Sequence, residues 1–336
     1  MNDQEASSHP NPLPACGERE PSEREAGEGC RAATAVVFAY HNVGARCLRV
    51  LHAHAVDIKL VVTHPDDPSE AQWFARIPDV AADLAIPCIV ADDVNAAEIV
   101  ERIAALGPDF IFSFYCRRML APQLLAFAHR GALNMHGSLL PHYRGRAPVN
   151  WAVLHGERHT GATLHYMTDK ADAGDIVAQQ AVPILPDDTA GEVFDKVTLA
   201  AEVCLDAAVP GLIAGTAPRI ANDVARGSYF GARTPEDGRI DWRKSAVDIH
   251  NLVRAVAPPY PGARTTVGGV AARVLRTRVL DADAGSHAST LAVGEPLIAR
   301  CGGGGSLRID LLELDGQPVT ASELRARFGA ASLPLA

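Results

Sequence analysis

Val36-Val-Phe-Ala39, His41-Asn-Val-Gly44, Cys47 to Ala55 and Ile58-Lys-Leu-Val-Val-Thr63 read in succession as a buried strand, a loop, a helix and a second strand. The alternation continues downstream. Val94 to Leu106 carries Ile99, Ile103 and Leu106 at helical spacing, Gly107-Pro108 stops it, and Asp109-Phe-Ile-Phe-Ser-Phe114 follows as a strand. Strands alternating with helices predict a Rossmann-like, mostly parallel α/β sheet covered on both faces. In such sheets ligands gather at the carboxyl ends of the strands, where Gly131-Ala-Leu-Asn134-Met135 delivers Asn134 and then His136.

Thr163-Leu-His-Tyr-Met167 and Ile176 to Ile184 read as further strands flanking a loop at Asp172-Ala-Gly-Asp175. Thr189-x-x-Glu192 has the spelling of a capping box and opens a long helix toward Gly211. A second block begins near Asn222. Ser245-x-x-Asp248 starts an amphipathic helix with Ile249, Leu252, Val253 and Val256 on one side, ended by Pro258-Pro259. Three short segments, Ala272 to Leu280, Leu291 to Ile298 and Leu307 to Leu314, then predict a smaller C-terminal β-barrel-like (OB-like) domain, with Gly302-Gly-Gly-Gly-Ser306 as a hairpin turn. The expected organisation is a tail at 1–33, a catalytic domain at 34–222 and the barrel at 223–336. The tail is rich in Glu, Pro, Gly and Ser, lacks an apolar signal region and reads as disordered.

The composition, 48% hydrophobic and 21% charged over 336 residues, is that of a globular protein. Apolar runs break before the roughly 20 residues of a spanning helix, so no membrane insertion is expected. Seven scattered cysteines, Cys16, Cys30, Cys47, Cys88, Cys116, Cys204 and Cys301, form no C-x-x-C pair, which fits a reduced, cytoplasmic setting without a zinc site. A net charge of −9 and the lack of a basic stripe disfavour nucleic-acid binding. No G-x-G-x-x-G follows the first strand, and neither G-x-x-x-x-G-K-[ST] nor G-x-S-x-G occurs; nicotinamide, ATP and serine-nucleophile chemistries lack their motifs.

One of thirteen histidines, His136 taken alone reads as a hydrogen-bonded structural residue. Asn134 alone reads as a strand-end cap, Asp172 as a turn former, and Arg144 and Arg146 as solvated loop charges. Together they suit acyl chemistry. An amide can donate to a developing oxyanion, an imidazole can move a proton near neutral pH, and an aspartate can charge or orient it. His52 and His54, two residues apart, do not share a helical face and are discounted as a metal pair.

Asn134-x-His136, Ser138-Leu-Leu-Pro-x-Tyr143-Arg-Gly145, Thr160-Gly-Ala-Thr163, Asp172-Ala-Gly-Asp175 and Val253-Arg-Ala255 together resemble the 10-formyltetrahydrofolate-dependent formyltransferases. That superfamily takes methionyl-tRNA, glycinamide ribonucleotide or sugar-nucleotide acceptors. Val36 to His41, Ile111 to Tyr115, Tyr143 to Trp151 and Phe230-Gly-x-Arg233-Thr-Pro235 are most similar to its ArnA-type branch. The resemblance runs from about Thr34 to the C-terminus. It implies the formyltransferase fold, catalytic roles for Asn134, His136 and Asp172, and no metal. It also implies donor contacts at Arg118, Met119 and Leu120, at Arg146, and at Thr168, Asp169, Lys170, Ala171 and Asp172. The ArnA type has a His-Leu-Ile triplet in place of Arg118-Met119-Leu120 and a Val-Lys-Arg run in place of Thr168-Asp169-Lys170. The co-substrate implied is 10-formyltetrahydrofolate, and the acceptor is the 4-amine of UDP-4-amino-4-deoxy-L-arabinose, a step of lipid A modification and polymyxin resistance.

The expected chemistry is direct attack of the amine on the formyl carbon. Asn134 and a protonated His136 steady the tetrahedral oxyanion, and Asp172 raises the His136 pKa. Methionyl-tRNA, another nucleotide-linked amino sugar, and a silent folate- or UDP-sugar-binding protein are the alternatives. An oligomer is compatible with the sequence.

Overall fold

The computed structural model describes residues 31–67, 72–282, 285 and 288–336. Of the tail read as disordered, residues 1–30 lie outside the described residues. The first half runs β1 (Thr34–Ala39), α1 (His41–Ala53), β2 (Asp57–Thr63), α2 (Ile77–Asp83), β3 (Cys88–Val90), α3 (Ala97–Leu106), β4 (Phe110–Phe114), α4 (Pro122–Leu125), β5 (Gly131–His136), β6 (Arg144–Gly145), α5 (Pro148–Leu154), β7 (His159–Tyr166), β8 (Ile176–Pro183) and α6 (Ala190–Ala214). Seven of these strands form one sheet in the order β3-β2-β1-β4-β5-β7-β8. The first five are parallel, β7 runs antiparallel to β5, and β8, antiparallel to β7, returns to the direction of the first five.

Alternate residues of β1 feed opposite layers: Ala35, Val37 and Ala39 join one apolar core, Val36 and Phe38 the other. In β4 the rings of Phe110, Phe112 and Phe114 line the first core and Ile111 enters the second. A strand buried on both faces reads as an unbroken apolar run, which is why these two were legible.

The stretch expected as a loop, His41 to Gly44, is the first turn of α1, and the helix ends at Ala53 rather than Ala55. Gly44 is there for close packing. A Cβ on it would lie 3.1 Å from Ala39 Cβ and 3.2 Å from Ile77 Cδ1, so its bareness lets the helix lie against β1 and α2. α6 opens with both halves of the Thr189–Glu192 capping box and is closed by Gly215 in the left-handed conformation. Contrary to the broken-run reading, α6 has the length and apolar content of a membrane-crossing helix. Its Val193, Phe194, Val197, Ala201 and Leu205 are nevertheless buried in the core beneath the sheet. Glu202 and Asp206 on its other side pair with Arg46 of α1 and with His54, which caps that helix.

The second half continues with β9 (Tyr229–Phe230), α7 (Ala246–Val256), β10 (Ala263–Val267), β11 (Val270–Asp281), β12 (Thr290–Ala292), β13 (Leu297–Arg300), β14 (Ser306–Leu314), β15 (Gln317–Pro318), α8 (Ala321–Phe328) and β16 (Ser332–Pro334). Its antiparallel sheet has the order β10-β11-β14-β13-β12-β16. A bridge between Val267 and Leu335 brings the two end strands together. The amide of Thr266 donating to Ala336 at 2.9 Å reinforces that closure. Ser245 caps α7, which buries Ile249, Val253 and Val256 in the barrel core, with Leu252 half-buried.

Two expectations are corrected here. Leu291 to Ile298 is two strands, because Gly294 and Pro296 turn the chain between β12 and β13. α8 was not anticipated: Thr320-x-x-Glu323 is a complete capping box, but the helix is eight residues long and buries only Ala321 and Leu324. Gly302 to Ser306 is the hairpin turn expected, joining β13 to β14 with Arg300 opposite Ser306.

The Val253-Arg254-Ala255 motif lies where the two sheets meet. Asn150 Nδ2 donates to Ala255 O at 2.9 Å, and Arg254 Nη1 donates to Asp188 O at 3.2 Å.

Candidate active site

β5 ends beside β7, and the antiparallel register sets Asn134 opposite His165 and His136 opposite Thr163. Side chains directly opposite across such a pair are near neighbours. Asn134 Nδ2 accordingly lies 3.1 Å from His165 Nε2. His165 Nδ1 lies 2.9 Å from Tyr166 O. A carbonyl only accepts, so Nδ1 carries that proton, and in this tautomer Nε2 accepts from the Asn134 amide.

The same logic fixes His136, whose Nε2 lies 2.8 Å from Tyr143 O. That nitrogen is the donor, which leaves Nδ1 as the uncommitted atom, 3.5 Å from Asp172 Oδ1. Asp172 reaches in from the loop between β7 and β8 with φ of 50°. Its Oδ2 accepts from Gly145 N at 2.8 Å, its Oδ1 lies 3.6 Å from His165 Nε2, and its carbonyl accepts from Asn222 Nδ2 at 3.0 Å. Asp172 does lie in a turn, and its side chain and that of Asn134 make long-range contacts as well.

Burial pushes the His136 imidazole below its ordinary value. Asp172 and the Tyr143 carbonyl pull it up, and His165 adds to the fall. The expected rise is therefore corrected. Asp172 does act upward on His136, but an almost wholly enclosed ring loses more by leaving water than one carboxylate returns. Burial also works against the Asp172 carboxylate, yet His136, His165 and the Gly145 amide together hold it at about 2. The resting pair is an ionised Asp172 beside a neutral His136.

Loops brace this cluster. Thr163 Oγ1 donates to Ser138 O at 2.6 Å and accepts from Leu140 N at 3.1 Å and Gln179 Nε2 at 2.9 Å, tying down the turn after His136. Gly161 and Gly174 permit close approach: a Cβ on the first would lie 2.1 Å from Gln180 O, and on the second 2.0 Å from Tyr166 O.

The remaining expected site residues lie on the loops that follow β4, β6 and β7. Arg118, Met119 and Leu120 follow β4, the parallel neighbour of β5; Arg118 and Met119 are exposed and Leu120 is buried. Arg146 is exposed, with its amide donating to Phe230 O at 2.9 Å. Thr168, Asp169 and Lys170 form an exposed turn in which Thr168 Oγ1 donates to Lys170 O at 3.0 Å, and Ala171 is half-buried. The structure brings Asn134, His136 and Asp172 into one cluster, while the side chains of Arg118, Met119, Thr168, Asp169 and Lys170 are not among that cluster's partners. Among the described residues no group of three or more His, Cys, Asp or Glu side chains is placed to hold a metal.

The Formyl transferase family model matches residues 35–209, and that of the Formyl transferase, C-terminal domain, matches residues 233–329. This chain belongs to the formyl transferase family. Among solved structures, the formyltransferase is similar to WlaRD, a sugar 3N-formyl transferase determined with dTDP and 5-N-formyl-THF. The TM-score is 0.65 at 18% identity, over 85% of this chain and 98% of that one. The N-formyltransferase of Helicobacter canadensis, in complex with folinic acid and dTDP-3-aminofucose, gives 0.65 and 18% over 86% of this chain and 100% of that one. HypX of Aquifex aeolicus, in complex with tetrahydrofolic acid, gives 0.59 and 17% over 88% of this chain and 47% of that one. At such identities the likeness is one of fold.

Three groups of the formyltransferase cluster escaped sequence reading. His165 had a readable signal, since Thr163 and His165 alternate along a strand next to the Asn-x-His strand. Gly145 N and Tyr143 O had none, because main-chain groups are supplied by every residue. Asn95 is a fourth missed residue, beside the donor segment rather than the cluster. Its Nδ2 donates to Met119 O at 3.0 Å and its Oδ1 accepts from Ala121 N at 2.7 Å, clamping the stretch that includes Leu120.

Proposed function

We propose that this formyltransferase moves the formyl group of 10-formyltetrahydrofolate onto the amine of a nucleotide-linked amino sugar, the 4-amine of UDP-4-amino-4-deoxy-L-arabinose in particular. The observation that carries the reading is the joint placement of Asn134, His136 and Asp172 at the carboxyl end of β5, with Asn134 held by His165 and Asp172 by Gly145. The donor is assigned to the segment after β4. Met119 is 61% exposed on a main chain clamped by Asn95, so the segment assigned to folate is both accessible and fixed.

The donor supplies an activated formyl carbon, and the chain supplies orientation, an oxyanion donor and a proton path. Asn134 spends one amide hydrogen on His165 and keeps the second for the formyl oxygen as negative charge gathers there. His136, neutral at rest, accepts the proton of the attacking amine on Nδ1, where ionised Asp172 balances the new charge. As the new C–N bond forms and the bond to folate nitrogen breaks, His136 returns that proton to the departing nitrogen. No covalent enzyme intermediate is required.

The acceptor rests on the motif resemblance for its UDP-4-amino form. The two dTDP-linked structural neighbours support a second reading, in which a dTDP-linked 3-amino sugar takes the same place. Methionyl-tRNA is disfavoured. Arg273, Arg276, Arg278, Arg308 and Arg327 of the barrel are in ion pairs with Glu313, Glu192, Asp310 and Asp315, which offset part of the positive charge they could offer to phosphates.

The test mixes the protein with 10-formyltetrahydrofolate and each amine and follows release of tetrahydrofolate. Release with the UDP-4-amino sugar supports the main reading, release only with dTDP-linked 3-amino sugars selects the second, and folate binding without release with any amine removes the enzymatic reading.

A further inference from the structure

Within the segment connecting the catalytic sheet to the barrel, Ser228 and Phe230 are bonded to the loop that braces the candidate active site. The amide of Tyr143 donates to Ser228 Oγ at 2.9 Å, Arg144 N to Ser228 O at 3.0 Å, and Arg146 N to Phe230 O at 2.9 Å. Ser228 N returns a bond to Pro141 O at 3.3 Å. β6 and β9 run parallel here, Arg144 beside Tyr229 and Gly145 beside Phe230. Gly227 makes the approach possible, since a Cβ on it would lie 2.0 Å from Pro141 O. The Tyr143 and Phe230 rings stack with centroids 5.3 Å apart and planes 18° from parallel.

That loop has two faces with different duties. Toward the connecting segment it points the N–H groups of residues 143, 144 and 146. Toward the cluster it points Tyr143 O, which accepts from His136 Nε2 at 2.8 Å, and Gly145 N, which donates to Asp172 Oδ2 at 2.8 Å. The conformation is not one the loop would keep unaided. Tyr143 sits at φ 57° and Gly145 at φ 96°, and a tyrosine in the left-handed region is held there by its surroundings.

We infer that the segment Gly227–Phe230 is a positioning element of the active site, with Ser228 acting through Tyr143 and Gly145 to set His136 and Asp172. None of these residues touches the reacting atoms. The connection to the barrel thereby couples placement of the second domain to the geometry of the first. The inference rests on the proposed formyl transfer for its kinetic consequence, but its structural core concerns His136 itself.

Ser228→Ala removes the acceptor of the Tyr143 amide, and Ser228→Thr keeps it. We expect Ser228→Ala to lower kcat roughly 10- to 100-fold, the scale of a small misplacement of reacting groups, with KM for both substrates unchanged. In histidine-selective NMR of the substrate-free protein, His136 should titrate at lower pH than in wild type, because a loosened Tyr143 carbonyl no longer favours its charged form. Ser228→Thr should restore both. Phe230→Leu, which leaves the main-chain bonds and removes the stacking, gives the same two readouts at smaller size should Ser228→Ala fail to fold. Unchanged kcat and an unchanged His136 titration in a folded variant overturn the inference. So does a loss of rate matched by loss of folded protein and not rescued by threonine. If wild type transfers no formyl group to any amine, the proposed function fails, and the His136 titration alone decides the positioning role.

Discussion

Asn134 Nδ2 and His165 Nε2 stand 3.1 Å apart, and the tautomer that Tyr166 O imposes on His165 makes the ring an acceptor toward the amide. The amide nitrogen therefore faces the ring, and the second N–H projects from a fixed direction. Replacing His165 with phenylalanine keeps the bulk and removes the acceptor. Turnover should fall by up to roughly 100-fold, the cost of a misplaced reacting group. Asn134→Ala, which deletes the donor, should cost roughly 100- to 1,000-fold. Steady-state release of tetrahydrofolate measures both. Equal rates for His165→Phe and wild type would mean that Asn134 is oriented by something else.

The pH dependence follows from the neutral resting state of His136. A base must be unprotonated to accept the amine proton, so kcat/KM should rise with pH through the His136 pKa, which burial places below the ordinary 6.5. Asp172 pulls that value upward. Asp172→Asn should therefore move the acid limb to lower pH, while lowering the plateau because the imidazolium formed in the reaction loses its counter-charge. A limb that moves to higher pH in the variant would reverse the assigned roles.

Much of the fold was legible because its signals are local. β1 and β4 are apolar on both faces, and the capping spellings at Thr189 and Ser245 sit at the starts of α6 and α7. Gly44 misled toward a loop because a glycine that permits close packing has the same spelling as one that breaks a helix. In the site, Asn134 and His136 were legible as alternate residues of one strand. Their distance from Asp172 was not, since it depends on Gly145 N reaching across from a different loop. The fall in the His136 pKa was hidden for a related reason: a neighbouring carboxylate can be guessed from sequence, whereas the degree of enclosure is a property of the packed chain.

Gly145 is a position where glycine is required twice over. Its φ of 96° lies where side chains are strained, and a Cβ would meet Phe230 O at 2.1 Å. Gly145→Ala should push β6 from β9 and draw the amide off Asp172. Backbone strain of this kind costs roughly 1–3 kcal/mol. We expect a lower thermal midpoint in calorimetry, together with a loss of turnover larger than the loss of folded protein. A variant with wild-type midpoint and rate would show that the Gly145 amide is dispensable.

Asp172 also links the site to acid stability. Its carboxyl titrates at about 2 in the folded chain against an ordinary 3.8, a gap of 3.8 − 2 = 1.8 pH units. At about 1.4 kcal/mol per unit, this amounts to roughly 2–3 kcal/mol for a side chain only 12% exposed. A depressed carboxyl stabilises the fold above its unfolded pKa, and the contribution disappears as pH falls through the folded value. Urea unfolding of Asp172→Asn should thus show a deficit of that order at pH 7, narrowing as pH falls from about 4 to about 2. A deficit that stays constant across that range would assign the loss to packing rather than to the ionised carboxylate.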